Sequence, residues 1–235
     1  MKKLRLFLFA TLVAFTAFFA SCKKNNTHSV QCRIVSLYTN DTNNKILFNY
    51  NSDKKLSALI YKPSNYQTLF TYSGNLLFKK GIDSSGTIYR TDTIVLTPSG
   101  LISTHAEHDL KGGYYFYDTM TYDSYDHIIR GVTRSQTDVA ADTYAWSNGD
   151  VISAYSGSHS VHYTYYTDKK IAEGDYTKIQ EILSFGAHYM NCAHLLKSAG
   201  DGNISYSFDT DGKISSMTMK QDTNTEVYNY TYTCD

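Results

Sequence analysis

The chain has 235 residues, with 22 Lys and Arg against 22 Asp and Glu, so its formal net charge is zero. That balance argues against a nucleic-acid partner, because phosphate neutralisation needs clustered cations. Its length and 42% hydrophobic content suit one globular body with an ordinary core.

The chain opens on an address. Lys2, Lys3 and Arg5 precede an apolar run, Leu6 to Phe19, that ends in Phe19-Ala20-Ser21-Cys22. A basic start, an apolar middle and small residues before a cysteine predict a lipoprotein signal over 1–21, cleaved before Cys22. The competing transmembrane reading fails on length, since a bilayer core needs roughly 20 apolar residues. Cys22 then becomes the lipidated N-terminus, and several acyl chains hold a protein stably where one is marginal. The alternative is ordinary cleavage without lipid. Residues 22–29 read as a lipidated cysteine followed by a polar tether. Removal of 1–21 takes three cations and no acid, leaving 19 basic residues against 22 acidic ones.

Residues 30–235 read as one β-domain. Tyrosine occurs 22 times and proline twice, a composition that favours strands. Ile46, Phe48 and Tyr50 alternate with Lys45, Leu47 and Asn49, the period of two that marks a half-buried antiparallel sheet. A hairpin unit recurs: an aromatic or apolar residue ends one strand, a short polar turn follows, and an aliphatic residue opens the return. Tyr50 leads to Leu56, Tyr72 to Leu76, Leu96 to Leu101, Tyr122 to Ile128 and Trp146 to Val151. Tyr166 would lead to Ile171, and Phe208 to Ile214. The first five anchors step by 22, 24, 26 and 24 residues, which marks a repeated supersecondary unit. Hairpin arithmetic gives about 14 strands in an antiparallel meander, curved into a cradle or partly closed barrel. Near 174–202 the alternation fails, which predicts a short irregular or helical insertion, with Gly186 interrupting any long helix.

His105-Ala106-Glu107-His108-Asp109 offers the densest set of ligand types. On a strand His105, Glu107 and Asp109 share one face, where they could hold a transition metal. No second cluster at ligand spacing supports that chemistry, and polar strand faces carry such residues without a metal. Tyr114-Tyr115-Phe116-Tyr117 places rings on both faces of one strand, as do Tyr163, Tyr165 and Tyr166. One face can serve the core. The other presents an aromatic surface suited to glycan stacking or peptide capture, with Tyr115, Tyr117 and Tyr166 as its candidates. The opposing explanation is that the rings only ladder the sheet across strands.

Other motifs give no chemistry. Gly157-Ser158-His159-Ser160 lacks a nucleophile elbow, and neighbouring strand residues point apart. Asp209-Thr210-Asp211-Gly212 resembles a calcium loop but lacks its downstream bidentate acid, so it reads as a turn. No phosphate loop, dinucleotide fingerprint or Cys-x-x-Cys pair occurs, and no cofactor is assigned. With Cys22 committed to lipid, Cys32, Cys192 and Cys234 remain, and an oxidising compartment permits disulfides. Cys32 and Cys234 flank the body, so a bridge between them would tie its ends together.

The segments Tyr122-Asp123-Ser124-Tyr125-Asp126-His127-Ile128 and Tyr206-Ser207-Phe208-Asp209-Thr210-Asp211-Gly212-Lys213-Ile214 resemble the turn of YD-repeat sequences. With the Ser-Cys-Lys-Lys junction and the Tyr-rich final strand, the chain is similar to Bacteroidota cell-envelope lipoproteins that carry a YD-like β domain of unknown function. That resemblance implies an envelope location, at the outer membrane, and a long β-meander. It implies no catalytic residues. The expectation is a membrane-anchored, non-catalytic binding module for a glycan, peptide or partner protein. The rival is an envelope hydrolase or metal-dependent enzyme built around His105, Glu107 and Asp109.

Overall fold

The computed structural model describes residues 32–40 and 43–235. The signal segment and Cys22, with its lipid, lie outside the described residues.

Sixteen antiparallel strands run in chain order and close into a barrel, with β1 (Cys32–Tyr38) pairing β16 (Asn224–Cys234). The predicted meander is therefore present, and it closes completely. The sequence estimate of about 14 falls short by β1 and β16, which pair with each other and belong to none of the seven predicted hairpins; the turn expected at 167–170 is also absent. β12 (His159–Lys170) runs straight through Tyr166. Nothing between Thr167 and Lys170 has the left-handed conformation a tight reversal needs. A disulfide between Cys32 and Cys234 joins the first strand to the last, with sulfurs 2.05 Å apart.

One corner recurs along the rim that carries these cysteines. At Asp209 the side-chain Oδ1 accepts from Asp211 N–H and Lys213 N–H, both at 2.9 Å, while Gly212 adopts φ 79°. Asn51, Asp83 and Asp123 cap their own loops in the same way, and Thr97 accepts from Leu101 N–H. The Asp83 loop is on the far rim. An Asx turn followed by one left-handed residue satisfies the reversing backbone without help from the core. Beside these corners, ring donors reach back to an earlier strand. Tyr122 Oη donates to the Ile102 carbonyl at 2.6 Å and Tyr232 Oη to that of Ile214 at 2.8 Å.

Registers place the aliphatic rows inside. β2 (Lys45–Tyr50) sets Phe48 opposite Leu59 of β3 (Leu56–Lys62), and both belong to the buried core with Leu77, Ile94, Ile102, Ile214 and Met217. The outer face differs. Across β14 (Gly202–Phe208), β15 (Ile214–Gln221) and β16, the outward row pairs Asn203 with Lys220 and Thr225. Below it, Ser205 meets Thr218 and Val227, and Ser207 meets Ser216 and Asn229.

The insertion fills the lumen. Helix α1 (Tyr176–Phe185) starts at Asp175, whose Oδ1 caps Thr177 N–H at 2.9 Å, and ends at Gly186 with φ 76°. Its residues Ile179, Ile182, Leu183 and Phe185 join the barrel core. At its start, Asp175 Oδ2 accepts from Leu196 N–H of β13 (His194–Ala199) and from Tyr206 Oη of β14. At its end, Lys79 of β5 (Leu76–Ile82) donates to the Ser184 carbonyl, and Phe185 packs edge-on against His105 of β7 (Ile102–Asp109). β5 and β7 lie across the closed sheet from β13 and β14, so the helix crosses the barrel from wall to wall. The span expected near 174–202 is thus helix and loop only to residue 193, after which β13 and β14 resume.

Buried acids pin the returning chain. Glu181 accepts from Met190 N–H at 3.0 Å and pairs with His188 at 2.7 Å. Asp150 accepts from Ala193 N–H and His194 N–H, and pairs with His194 Nδ1 at 2.7 Å. Gly186 itself sits so close to Phe70 that an added Cβ would lie 2.2 Å from the ring.

Candidate lumenal binding site

The inner wall opposite the helix start carries a buried ionic row. Direct cross-strand partners share a face, and Phe70, Lys79, Asp92, Glu107 and Phe116 oppose one another in turn from β4 (Tyr66–Ser73) to β8 (Tyr115–Tyr122). Lys79 Nζ lies 3.1 Å from Asp92, and Arg90 Nε lies 3.0 Å from the same carboxylate. Arg90 reaches Glu107 at 3.1 Å. His105 bridges Asp92 at 3.4 Å and Asp118 at 2.8 Å.

Burial alone would raise the Asp92 pKa, yet hydrogen bonds and charge from His105, Lys79 and Arg90 hold it down at about 2. Burial disfavours a charged His105, but Asp118 and Asp92 together outweigh it and raise its pKa. Lys79 is shifted the other way, because desolvation exceeds the attraction of Asp92. An ion pair removed from water lasts only when its remaining polar valences are also met, and here the Ser184 carbonyl meets one of them.

The sequence placed His105, Glu107 and Asp109 on one face, and the register agrees, since Asp109 opposes Arg90. Their carboxylates do not converge. Asp109 accepts from Lys111 N–H at 2.9 Å and Gly112 N–H at 3.1 Å, and so closes its own loop. Asp92, which sequence reasoning missed, takes its place: ligand atoms of Asp92, His105 and Glu107 lie within 4.8 Å of one another. These donors are already matched by Lys79 and Arg90, which compete directly with any added cation. Asp92 sits in a Thr-Asp-Thr stretch that reads as an ordinary polar face until the strand pairing is known.

Two cavities flank α1. One, of about 330 Å³, is lined by Tyr61, Thr68, Tyr89, Arg90 and Glu107, with Ser184 and Phe185 from the helix. The other, of about 350 Å³, lies among Tyr163, Tyr176, Gln180, Glu181 and Tyr189. Both reach the rim opposite the chain ends: Arg90 and Glu107 keep 28% and 20% of their side chains exposed, and Val161 keeps 39%. Volumes near the lower end of the roughly 300–1,000 Å³ range suit small ligands.

The aromatic candidates fall elsewhere. Tyr115 and Tyr117 alternate with inward Phe116 and Asp118, and Tyr115 is 46% exposed. Tyr166 is half-buried on β12, its Oη donating to the Ile204 carbonyl at 3.0 Å, with Lys169 and Lys197 near its ring. β8 and β12 stand four strands apart in the sheet order, so the three tyrosines form no single patch.

No known protein family matches the chain, and no curated protein matches it. Among solved structures it is similar to a porin-like protein from Bacteroides uniformis, with a TM-score of 0.59 and 14% identity. The match covers 85% of this chain and 98% of that one. At that identity the likeness is one of fold.

Proposed function

We propose that the protein is a lipid-anchored, non-catalytic binding module of the cell envelope, at the outer membrane, which takes a small ligand into its lumen. The observation that carries this reading is α1, which spans the barrel between Asp175 and Lys79 and is flanked by two cavities that reach the far rim. A lumen crossed by a packed helix holds ligands and does not conduct them. The outer wall of β14 to β16 presents Ser, Thr, Asn and Lys, with Val227 among them. A membrane-spanning barrel has the reverse pattern, with an apolar band outside and polar groups within. That stretch of wall suits water, whereas Leu47, Ile60, Leu69 and Phe78 face outward on β2 to β5; the lipid on Cys22 supplies the membrane contact. Cys32 lies on the rim opposite the one that both cavities reach. The hydrolase reading finds no support in the ionic row, whose members pair with one another.

Two experiments test this. Palmitate-analogue labelling should mark the wild type and not Cys22→Ser; equal labelling overturns the tether. For the lumen, small molecules retained by the chain purified from its host are identified by mass spectrometry. Val161→Trp with Thr68→Trp, which fill the cavities, should deplete the retained species, and Tyr115→Ala with Tyr117→Ala should not. The opposite result would move the site to the outer wall.

A further inference from the structure

From the cavity between β3 and β7 we infer a ligand class: a neutral saccharide, small enough to sit beside Arg90 and Glu107. The inference rests on the lumenal reading above and adds to it the chemistry of the occupant.

Charge is the first argument. Lys79 and Arg90 are met by Asp92 and Glu107, at 3.1 Å or less for each direct pair. An incoming anion would find both cations matched, and an incoming cation would find both acids matched. A neutral molecule rich in hydroxyls disturbs neither balance. The Arg90–Glu107 pair, partly exposed at the cavity wall, offers planar donor and acceptor groups side by side. Vicinal hydroxyls, each both donor and acceptor, can satisfy such a pair together.

The wall is the second argument. Tyr61, Tyr89 and Phe185 supply apolar ring surface beside those polar groups. Tyr89 rests on Gly81 so closely that a Cβ there would come within 2.7 Å of the ring, so the glycine makes room for it. Rings next to planar charged groups suit a sugar, which has hydroxyl edges and C–H faces. Topology is the third argument. A peptide is commonly caught by strand addition, and this sheet has closed β1 onto β16, leaving no free edge.

The test uses the full chain in a zwitterionic detergent, with saturation-transfer NMR and calorimetry. The probes are maltose, cellobiose and chitobiose, digalacturonic acid, and a mixture of short peptides. At least one neutral disaccharide should bind. Its affinity should fall about tenfold or more in Glu107→Gln, the loss of roughly one good hydrogen bond to a charged group. Thr68→Val and Tyr89→Ala, which leave the ionic row intact, should weaken it as well. Binding only of digalacturonic acid or peptides, weakened by the same variants, overturns the ligand class and leaves the lumenal site standing. Saccharide binding that ignores all three variants overturns the assigned cavity. Silence from every probe overturns this inference, while the retained species and the cavity-filling variants decide the lumenal reading separately.

Discussion

Trp146 Nε1 donates to the carbonyl of Ile128, 2.7 Å away and 18 residues earlier in the chain. Tyr122 makes the same reach to Ile102, Tyr232 to Ile214 and Tyr50 to Ile34, so the ring of one hairpin fastens the start of an earlier strand. Trp146 is also stacked on His127 at 4.2 Å. At Tyr50, Tyr122 and Trp146 the aromatic before the turn therefore has a polar task besides its apolar packing. Tyr122→Phe and Tyr232→Phe should each cost about 1 kcal/mol in urea unfolding, the net value of one hydrogen bond. Unchanged midpoints would show that the phenol oxygens do not matter.

The plug depends on a position that only glycine can occupy. Gly186 combines φ 76° with a backbone pressed against Phe70. Gly186→Ala should destabilise by roughly 2–4 kcal/mol, from the left-handed conformation and the clash together. A second substitution, Phe70→Leu, should recover part of that loss. If the two effects simply add, the helix end does not pack on Phe70.

Closing the barrel covalently spans a sequence separation of 202 residues. In the chain-entropy model a loop of this length contributes about 5 kcal/mol. Reduction, or Cys32→Ser with Cys234→Ser, should lower the unfolding midpoint by the corresponding amount. An equal midpoint in oxidised and reduced protein would contradict the bridge.

The ionic row sets the pH dependence. Asp92 ionises lower in the fold than its ordinary value of 3.8, near 2. Its contribution, on the order of 2 kcal/mol, is present above 3.8 and is lost as pH falls towards 2. His105 works in the other direction. Its pKa is raised, so its contribution is complete below 6.5 and fades as pH rises through the folded value. Asp92→Asn should be less stable at pH 7 and should lose less on acidification than the wild type. His105→Gln should flatten the slope just above pH 6.5. Parallel curves for variant and wild type would remove the row from the account.

Much of the barrel was legible because its corners are local. Tyr122 to Ile128 and Phe208 to Ile214 carry their own turn chemistry in five intervening residues, and each pair lies directly opposite in the sheet. Closure was legible only in part, from Cys32 and Cys234 flanking the body, since the register that sets Ile34 opposite Tyr232 spans nearly the whole chain. The far-rim loops were missed as well, although Asp83-Ser84-Ser85-Gly86 has the same Asx chemistry as Asp209. The site was half visible. His105 and Glu107 stand two apart on one strand, but Asp92 and Lys79 join them only through register. A lysine, an aspartate and a glutamate scattered over three strands look like solvent-facing charges until the pairing puts them indoors.

The helix across the lumen is the point on which cavity and ligand both depend. Nuclear Overhauser spectroscopy on the isotope-labelled full chain tests it directly. The account predicts cross-peaks from the Phe185 ring to the His105 ring, and in the same protein from Tyr176 to Tyr206. Cross-peaks from the helix confined to Tyr206 and its neighbours on β13 and β14, with none to His105 or Phe70, would contradict it.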